Sequence, residues 1–292
     1  MVGRANSENL VVRRNLTRDI QKLGVASGDV IFVRAATRAV LPESRGASVL
    51  LRDALLDAVG EDGSVVALTF TASQPVWVRE RRAVFTVQSP TTVGGFASAV
   101  LADSRTRRSR HPLNSISVIG PASAHLIAGH DRRERAFSWI ERLIECGGKQ
   151  LLIGCVDASP GFSTVHYAQE QLGLSSRTLF RGVFGCFVEE EDGSTTWFAP
   201  KDCAGCSLGF WRMYGHYVRA GILHASYVGS AYSILASAAD AFHLDKEILA
   251  ANPRELLCGR AGCLRCATNT YNLRALAPMV VTKAAYLIKG RS

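Results

Sequence analysis

Short runs of mostly apolar residues recur through the first part of this chain and constrain its fold more than any other feature. They lie at residues 30–33, 65–68, 117–119 and 151–153. Between them, apolar residues recur at helical spacing over 16–23, 49–59, 96–101 and 137–146. Strands that are apolar on both sides and alternate with helices are typical of a sheet covered on both faces. The sequence therefore predicts an α/β fold, a mixed sheet with helices on each face.

The pattern changes after residue 180. Residues 183–188 and 195–198 flank an acidic turn and predict an antiparallel hairpin. From Phe210 onward the chain reads as mainly helical, and cysteines bracket this section. We expect an α/β core over residues 1–200 and a smaller, mainly helical C-terminal subdomain over 201–292. A metal site would tie this subdomain to the core.

The composition narrows the class of protein. The chain has 292 residues, 47% hydrophobic and 20% charged, which excludes a disordered chain, a coiled coil and a small disulfide scaffold. No apolar run reaches the roughly 18 residues of a membrane span, since Lys283 interrupts the best candidate at 275–288. Residues 1–17 lack the apolar run of a secretory signal. These features predict a cytoplasmic protein without a membrane partner.

Basic residues outnumber acidic ones. Lys and Arg total 34 against 25 Asp and Glu, a net charge of +9, which favours an anionic partner. The runs at 79–82 and 132–135 are typical of solvated surfaces, but the run at 105–110 leads directly into His111-Pro112. Arginines beside a site bind phosphates, so a nucleotide-bearing cofactor is indicated. Nucleic acid is disfavoured because the runs lack interleaved aromatic residues.

Residues 163–170 form the first candidate site. They follow the predicted strand 151–153, and Ser163 or Thr164 is expected to cap a helix there. On that helix His166 and Glu170 are four residues apart and share a face. A carboxylate that orients an imidazole is a typical arrangement for a general base, and ligands bind where sheet strands end. A purely structural histidine is the alternative reading.

Several stretches identify a family when they are taken in order. They are Leu23-Gly24-Val25 with Gly28-Asp29, Thr69-Phe70-Thr71, Arg108-Ser109-Arg110-His111-Pro112 with Ser115, Gly120-Pro121-Ala122, Gly147-Gly148-Lys149 with Leu151-Leu152-Ile153-Gly154, and Thr164-Val165-His166-Tyr167-Ala168. Over about residues 16–205 the chain resembles the aminoglycoside 3-N-acetyltransferase (antibiotic N-acetyltransferase) family. The resemblance implies transfer of an acetyl group from acetyl-CoA to an amine, typically on an aminoglycoside.

The resemblance also implies roles for particular residues. His166 matches the active-site histidine, His111 the histidine of the His-Pro motif, and Asp202 a late acidic position. His166 would remove a proton from the amine, oriented by Glu170 or Asp202. The donor would be held by residues after the first strand and in the basic motif: Arg34, Ala36, Thr37, Arg110 and Ser115.

The chain departs from the family at two places in this site. The family has Glu three residues after the active-site histidine, where this chain has Gln169. The family's first strand ends His-Ala-Ser or His-Ser-Ser, whereas this chain has Arg34-Ala35-Ala36-Thr37. A different acyl thioester, a carrier-protein donor, or a condensation or cyclisation therefore stays open as an alternative. So does a homodimer.

The C-terminal cysteines are a third departure. Cys203 and Cys206 are followed by Cys258, Cys263 and Cys266, with pairs spaced two residues apart. Such pairs wrap a tetrahedral metal, so we expect a structural Zn²⁺ held by four of the five thiolates, with an iron–sulfur cluster as the alternative. Resemblance to relatives with similar cysteines favours an amino sugar or natural-product intermediate as substrate. A zinc protein that binds nucleic acid is the remaining alternative.

Overall fold

A seven-stranded mixed sheet forms the centre of the molecule. The computed structural model describes residues 2–44, 46–78, 80, 83–175, 182–200, 206–260, 263 and 266. From edge to edge the strands are β10 (His224–Val228), β11 (Ala231–Ser237), β7 (Lys149–Ile153), β1 (Val30–Ala35), β2 (Ser64–Leu68), β6 (Ile116–Ile119) and β5 (Arg107–Arg108). The central strands β7, β1 and β2 are parallel, and the outer pairings are antiparallel.

Helices cover both faces of this sheet. They are α1 (Val2–Leu23), α2 (Thr37–Val40), α3 (Ala47–Val59), α4 (Gly95–Leu101), α5 (Ser123–Ile127), α6 (Trp139–Glu145), α7 (Thr164–Gln171), α8 (Met213–Arg219), α9 (Ala238–Ala251) and a 3₁₀ helix (Ser207–Arg212). Strand β1 shows why the apolar runs are continuous. Ile31 and Val33 pack with α1 and α3, whereas Phe32 meets the edge of Trp139 on the other face. The predicted mixed α/β fold is confirmed.

A small second sheet lies beside the body. Strand β8 (Phe184–Glu189) pairs with β3 (Gln74–Pro75), β4 (Val84–Phe85) and β9 (Thr195–Phe198). The antiparallel pairing of β8 with β9 confirms the hairpin predicted around the acidic turn.

The section after residue 210 differs from the expectation of a mainly helical one. Besides α8 and α9 it contains the hairpin of β10 and β11, and β11 pairs with β7 of the central sheet. The last section is thus continuous with the main sheet, and the division at residue 200 stays a prediction. None of the helices in the described part of the chain is long and apolar enough to cross a membrane, and residues 275–288 lie outside that part.

Candidate active site

A cleft of about 820 Å³ opens at the carboxyl ends of β1 and β2. The loop after β1, the start of α3, the Gly94-Gly95 turn before α4 and the loop after β7 line it. Arg34, Ala36 and Thr37 are part of this lining, as their predicted role requires. Open α/β sheets bind ligands at this edge, so the position suits a substrate cleft. That these three residues bind the donor stays a prediction.

Helix α7 carries His166 and is anchored by a buried glutamine. Gln150, the second residue of β7, accepts hydrogen bonds through Oε1 from the backbone N–H groups of Ser163 (2.9 Å) and Thr164 (3.3 Å). Its Nε2 donates to Thr164 Oγ1 at 3.0 Å. The predicted cap by Ser163 or Thr164 is wrong, because neither side chain caps the helix and the neighbouring strand supplies the acceptor instead.

The imidazole of His166 contacts two aromatic rings. Its centroid is 4.4 Å from that of Phe137, nearly parallel, and 4.7 Å from that of Phe210. Nδ1 is buried and has no hydrogen-bond partner among the described residues. Burial, and then the positive charge of Arg34, lower the pKa of His166 to about 3, while the Gln169 side chain acts in the opposite direction. The ring is therefore neutral at physiological pH and free to accept a proton.

Glu170 contacts the segment before α6 through both its side chain and its backbone. Its Oε1 accepts a hydrogen bond from the backbone N–H of Phe137 at 3.0 Å, and its carbonyl accepts one from Arg135 at 2.6 Å. The carboxylate thus positions Phe137, which in turn packs on His166. A direct orienting role for Glu170 stays a prediction, and Asp202, the other candidate, lies outside the described residues.

His111 packs against the second sheet. Its ring stacks on His130 at 5.0 Å, meets the edge of Phe198 at 5.5 Å, and accepts a hydrogen bond through Nδ1 from the N–H of Asn114 at 2.9 Å. Burial, with a smaller effect from His130, lowers the pKa of His111 to about 3. These contacts give His111 a structural setting, and its catalytic assignment stays a prediction.

The two donor-binding candidates of the basic motif are also separate from the cleft beside Arg34. Ser115 is fully buried, donates to the Thr69 carbonyl at 2.8 Å and accepts from Arg108 Nε at 3.0 Å. Arg110 is exposed and borders another cleft with Asp131. The structure therefore brings together Arg34, Ala36 and Thr37, but it does not bring Arg110 or Ser115 to them.

Arg34 has a second function that the sequence did not reveal. Its Nη1 donates to the Gly161 carbonyl at 2.8 Å, and its Nη2 donates to Ser159. The hydroxyl of Tyr214 accepts from the N–H of Gly161 at 2.7 Å and donates to the Val156 carbonyl at 2.9 Å. Arg34 and Tyr214 thereby fasten the loop that joins β7 to α7.

Glycine at position 161 is required by packing. Its φ is +77°, and a Cβ there would lie 2.3 Å from Cβ of Phe210. The loop can therefore approach the 3₁₀ helix closely enough for Phe210 to reach His166.

Four cysteines form a cluster near the start of the 3₁₀ helix Ser207–Arg212. The sulfur atoms of Cys206, Cys258, Cys263 and Cys266 all lie within 4.8 Å of one another, and Cys203 lies outside the described residues. Cys206 immediately precedes the 3₁₀ helix. A Cβ on Gly209 of that helix would lie 2.2 Å from the carbonyl oxygen of Leu256, so the segment leading to Cys258 packs directly on its backbone.

Comparison of the sequence with known proteins identifies its family. The family model described as aminoglycoside 3-N-acetyltransferase matches residues 32–250. The chain belongs to this family. Aminoglycoside N(3)-acetyltransferase III of Serratia marcescens is 32% identical over 205 residues, which are 64% of this chain and 74% of that protein. A protein of the same description from Salmonella sp is 30% identical over 173 residues, 54% of this chain. The chain spans 59% of that relative's length.

Solved structures show the same fold. The apoenzyme of aminoglycoside acetyltransferase AAC(3)-IVa superimposes with a TM-score of 0.72 and 23% identity, covering 89% of this chain and 97% of that one. AAC-VIa bound to sisomicin gives a TM-score of 0.67 and 26% identity, covering 81% and 96%. AAC-IIIb in a binary complex with CoASH also gives 0.67, at 21% identity, covering 81% and 95%. The predicted family is confirmed, and the solved structures share its fold.

Proposed function

We propose that this protein is a CoA-dependent N-acyltransferase, and most simply an N-acetyltransferase, with His166 as its general base. The acceptor is an amino group of an aminoglycoside, an amino sugar or a natural-product intermediate. The observation that carries this proposal is the neutral imidazole of His166, whose buried Nδ1 lacks a partner among the described residues and whose pKa is lowered in part by Arg34, a residue that lines the cleft at the carboxyl edge of the sheet. Relatives described as aminoglycoside N(3)-acetyltransferases support the choice of substrate.

The reaction follows from the requirements of an amine. The amine nitrogen attacks the thioester carbon and forms the C–N bond, which makes its N–H strongly acidic. His166 takes this proton, the C–S bond breaks, and the departing thiolate takes the proton from the imidazolium. Phe137 and Phe210 pack against the ring and fix its position. The low pKa of the ring, about 3, favours prompt return of the proton to sulfur.

The cleft also offers a place for the donor. Arg34, Ala36 and Thr37 lie along it, and Arg38 is exposed at its border. A guanidinium in that position suits the phosphates of CoA. A carrier-protein donor, a homodimer and a cytoplasmic location stay predictions.

Thiol release tests the proposal directly. Purified protein is incubated with acetyl-CoA and a panel of aminoglycosides and amino sugars, and the product is identified by mass spectrometry. We expect His166→Gln to lower kcat/KM by about 10²- to 10⁴-fold. His243→Gln is the matched control, since His243 is exposed on α9. Full activity of the His166 variant, or failure of the protein to bind CoA in calorimetry, would contradict the proposal.

We also propose that the cysteine cluster holds a structural Zn²⁺. Four sulfurs about 2.3 Å from a tetrahedral zinc lie about 3.8 Å apart, which agrees with the 4.8 Å limit of the cluster. The backbone N–H of Cys258 donates to Cys266 Sγ at 3.4 Å, a typical support for a thiolate ligand. Four thiolates would close the coordination shell, so the metal would stabilise the fold and not take part in the chemistry.

Elemental analysis tests the metal. One zinc per chain is expected, and Cys206→Ser should lose it, whereas Cys203→Ser should retain it. Iron in the purified protein, together with visible absorption, would show that the cysteines hold an iron–sulfur cluster instead of zinc. Absence of any bound metal in protein purified without chelator would refute the site.

A further inference from the structure

Arg34 places an unpaired positive charge in the cleft. Its bonds to Gly161 and Ser159 engage neutral oxygen atoms and use at most three of the five guanidinium N–H donors. No Asp or Glu in the described part of the chain forms an ion pair with it. The side chain lines the cleft and is partly buried, and burial lowers the pKa of Arg34.

A charge that is partly withdrawn from water is stabilised when an opposite charge meets it. The guanidinium therefore favours an anionic group in the cleft. It equally disfavours a second cation near His166, whose pKa it lowers. An ammonium group gains nothing from this charge, so the anion that satisfies Arg34 belongs to the acyl donor.

The position of Arg34 decides which part of the donor it meets. The thioester carbon must lie beside His166, because that ring takes the proton of the attacking amine. Arg34 lies at the end of β1 and lines the cleft. Its Nη1 donates to the carbonyl of Gly161, which packs against Phe210, and the ring of Phe210 contacts that of His166. The phosphates of CoA lie at the opposite end of the pantetheine arm from the thioester. The group closest to Arg34 is consequently the acyl group.

We propose that Arg34 binds a carboxylate at the end of the acyl group, so that the preferred donor is the CoA thioester of a short dicarboxylic acid, with malonyl-CoA and succinyl-CoA as probes. This inference rests on the proposed acyltransferase function. The reaction is unchanged: the amine nitrogen bonds to the thioester carbon, the C–S bond breaks, and free CoA thiol leaves. The product is an amide that keeps the free carboxylate on Arg34.

Calorimetry with free CoA, acetyl-CoA, malonyl-CoA and succinyl-CoA tests the inference without an acceptor. We expect at least one carboxylated donor to bind wild-type protein about 10- to 100-fold more tightly than acetyl-CoA, as a charge-assisted hydrogen bond allows. Arg34→Gln should abolish this ratio between carboxylated and acetyl donors, and Arg34→Lys should retain part of it. Arg14→Gln, on the exposed side of α1, is the matched control and should leave the ratio unchanged.

The outcomes separate the two proposals. Equal affinities in the wild type overturn the carboxylate site and leave acyl transfer intact. An equal loss for every thioester in Arg34→Gln also overturns it, because Arg34 then serves the common part of the donor. If neither CoA nor any thioester binds, the acyltransferase function itself fails. Should the Gln variant not fold, the wild-type ratio and the Lys variant still decide.

Discussion

Restoring the family carboxylate beside His166 is the sharpest test of how this site works. Gln169 is buried on α7, three residues after His166 and on the same helical face. Gln169→Glu changes one amide to a carboxylate of nearly the same shape. The Gln169 side chain interacts with the imidazole of His166. An opposite charge within about 4 to 6 Å of an imidazole raises its pKa by about 1 to 3 units. The pKa of His166, now about 3, should therefore rise to about 4 to 6.

This change amounts to about 1.4 to 4 kcal/mol of added stabilisation of the imidazolium. If roughly half of it is expressed in the transition state, kcat/KM at pH 7 rises about 3- to 30-fold. The assay is thiol release between pH 4 and 8, together with NMR titration of the ring. In the variant the acid limb of kcat/KM should move to higher pH.

The control uses the same substitution on the same helix. Gln171 is exposed, so Gln171→Glu adds an equal charge without placing it against the ring. An acid limb that stays in place in Gln169→Glu, or moves equally in both variants, would refute the role assigned to His166.

Three further predictions concern stability. Burial lowers the pKa of His111 from 6.5 to about 3, so the unfolded state binds more protons between these two pH values. The free energy of unfolding therefore falls as the pH drops below about 6.5, by about 2 kcal/mol at pH 5. Urea titrations should show that the free energy of unfolding depends less steeply on pH in His111→Asn than in the wild type. Burial raises the pKa of Asp245 to about 7, so stability is lost as pH rises from about 4 to 7, by up to about 4 kcal/mol; Asp245→Asn, which keeps an acceptor for Tyr217, should be the more stable protein at pH 8, and a less stable variant would contradict this. Gly209→Ala should lower thermal stability by about 1 to 3 kcal/mol and release the proposed zinc, whereas Gly215→Ala in α8, where the nearest atom to a Cβ is a flexible Arg219 nitrogen at 3.6 Å, should do neither.

The central strands and helices could be predicted because each local pattern agrees with its place in the fold. Strand β1 is apolar on both faces, and it is indeed covered on both. The hairpin of β10 and β11 was missed because its residues are mostly small or polar and read as helix. A signal was nevertheless present, since Gly229 turns the chain at φ +57° between Tyr227 and Tyr232, whose rings meet at 5.8 Å.

The candidate site was predictable only in part. The order of motifs identified His166, but it gave no information on what surrounds the ring. Phe137 and Phe210 come from distant segments, and only the folded chain brings both into contact with the imidazole. Helical spacing placed Glu170 on the correct face, yet the backbone of Phe137 competes for its carboxylate. Spacing defines neighbours along one helix and not partners from other elements.

The two aromatic residues that contact the imidazole lie far apart in the sequence, which determines what a truncated gene can encode. Phe137 belongs to the first half of the chain, whereas Phe210 follows Cys206 and is translated later. A reading frame that stops after residue 200 would still encode His166, Arg34 and every strand of the small sheet. It would nevertheless lack Phe210, one of the two aromatic residues that pack against His166. Such a gene fragment, however well expressed, should confer no activity on its host.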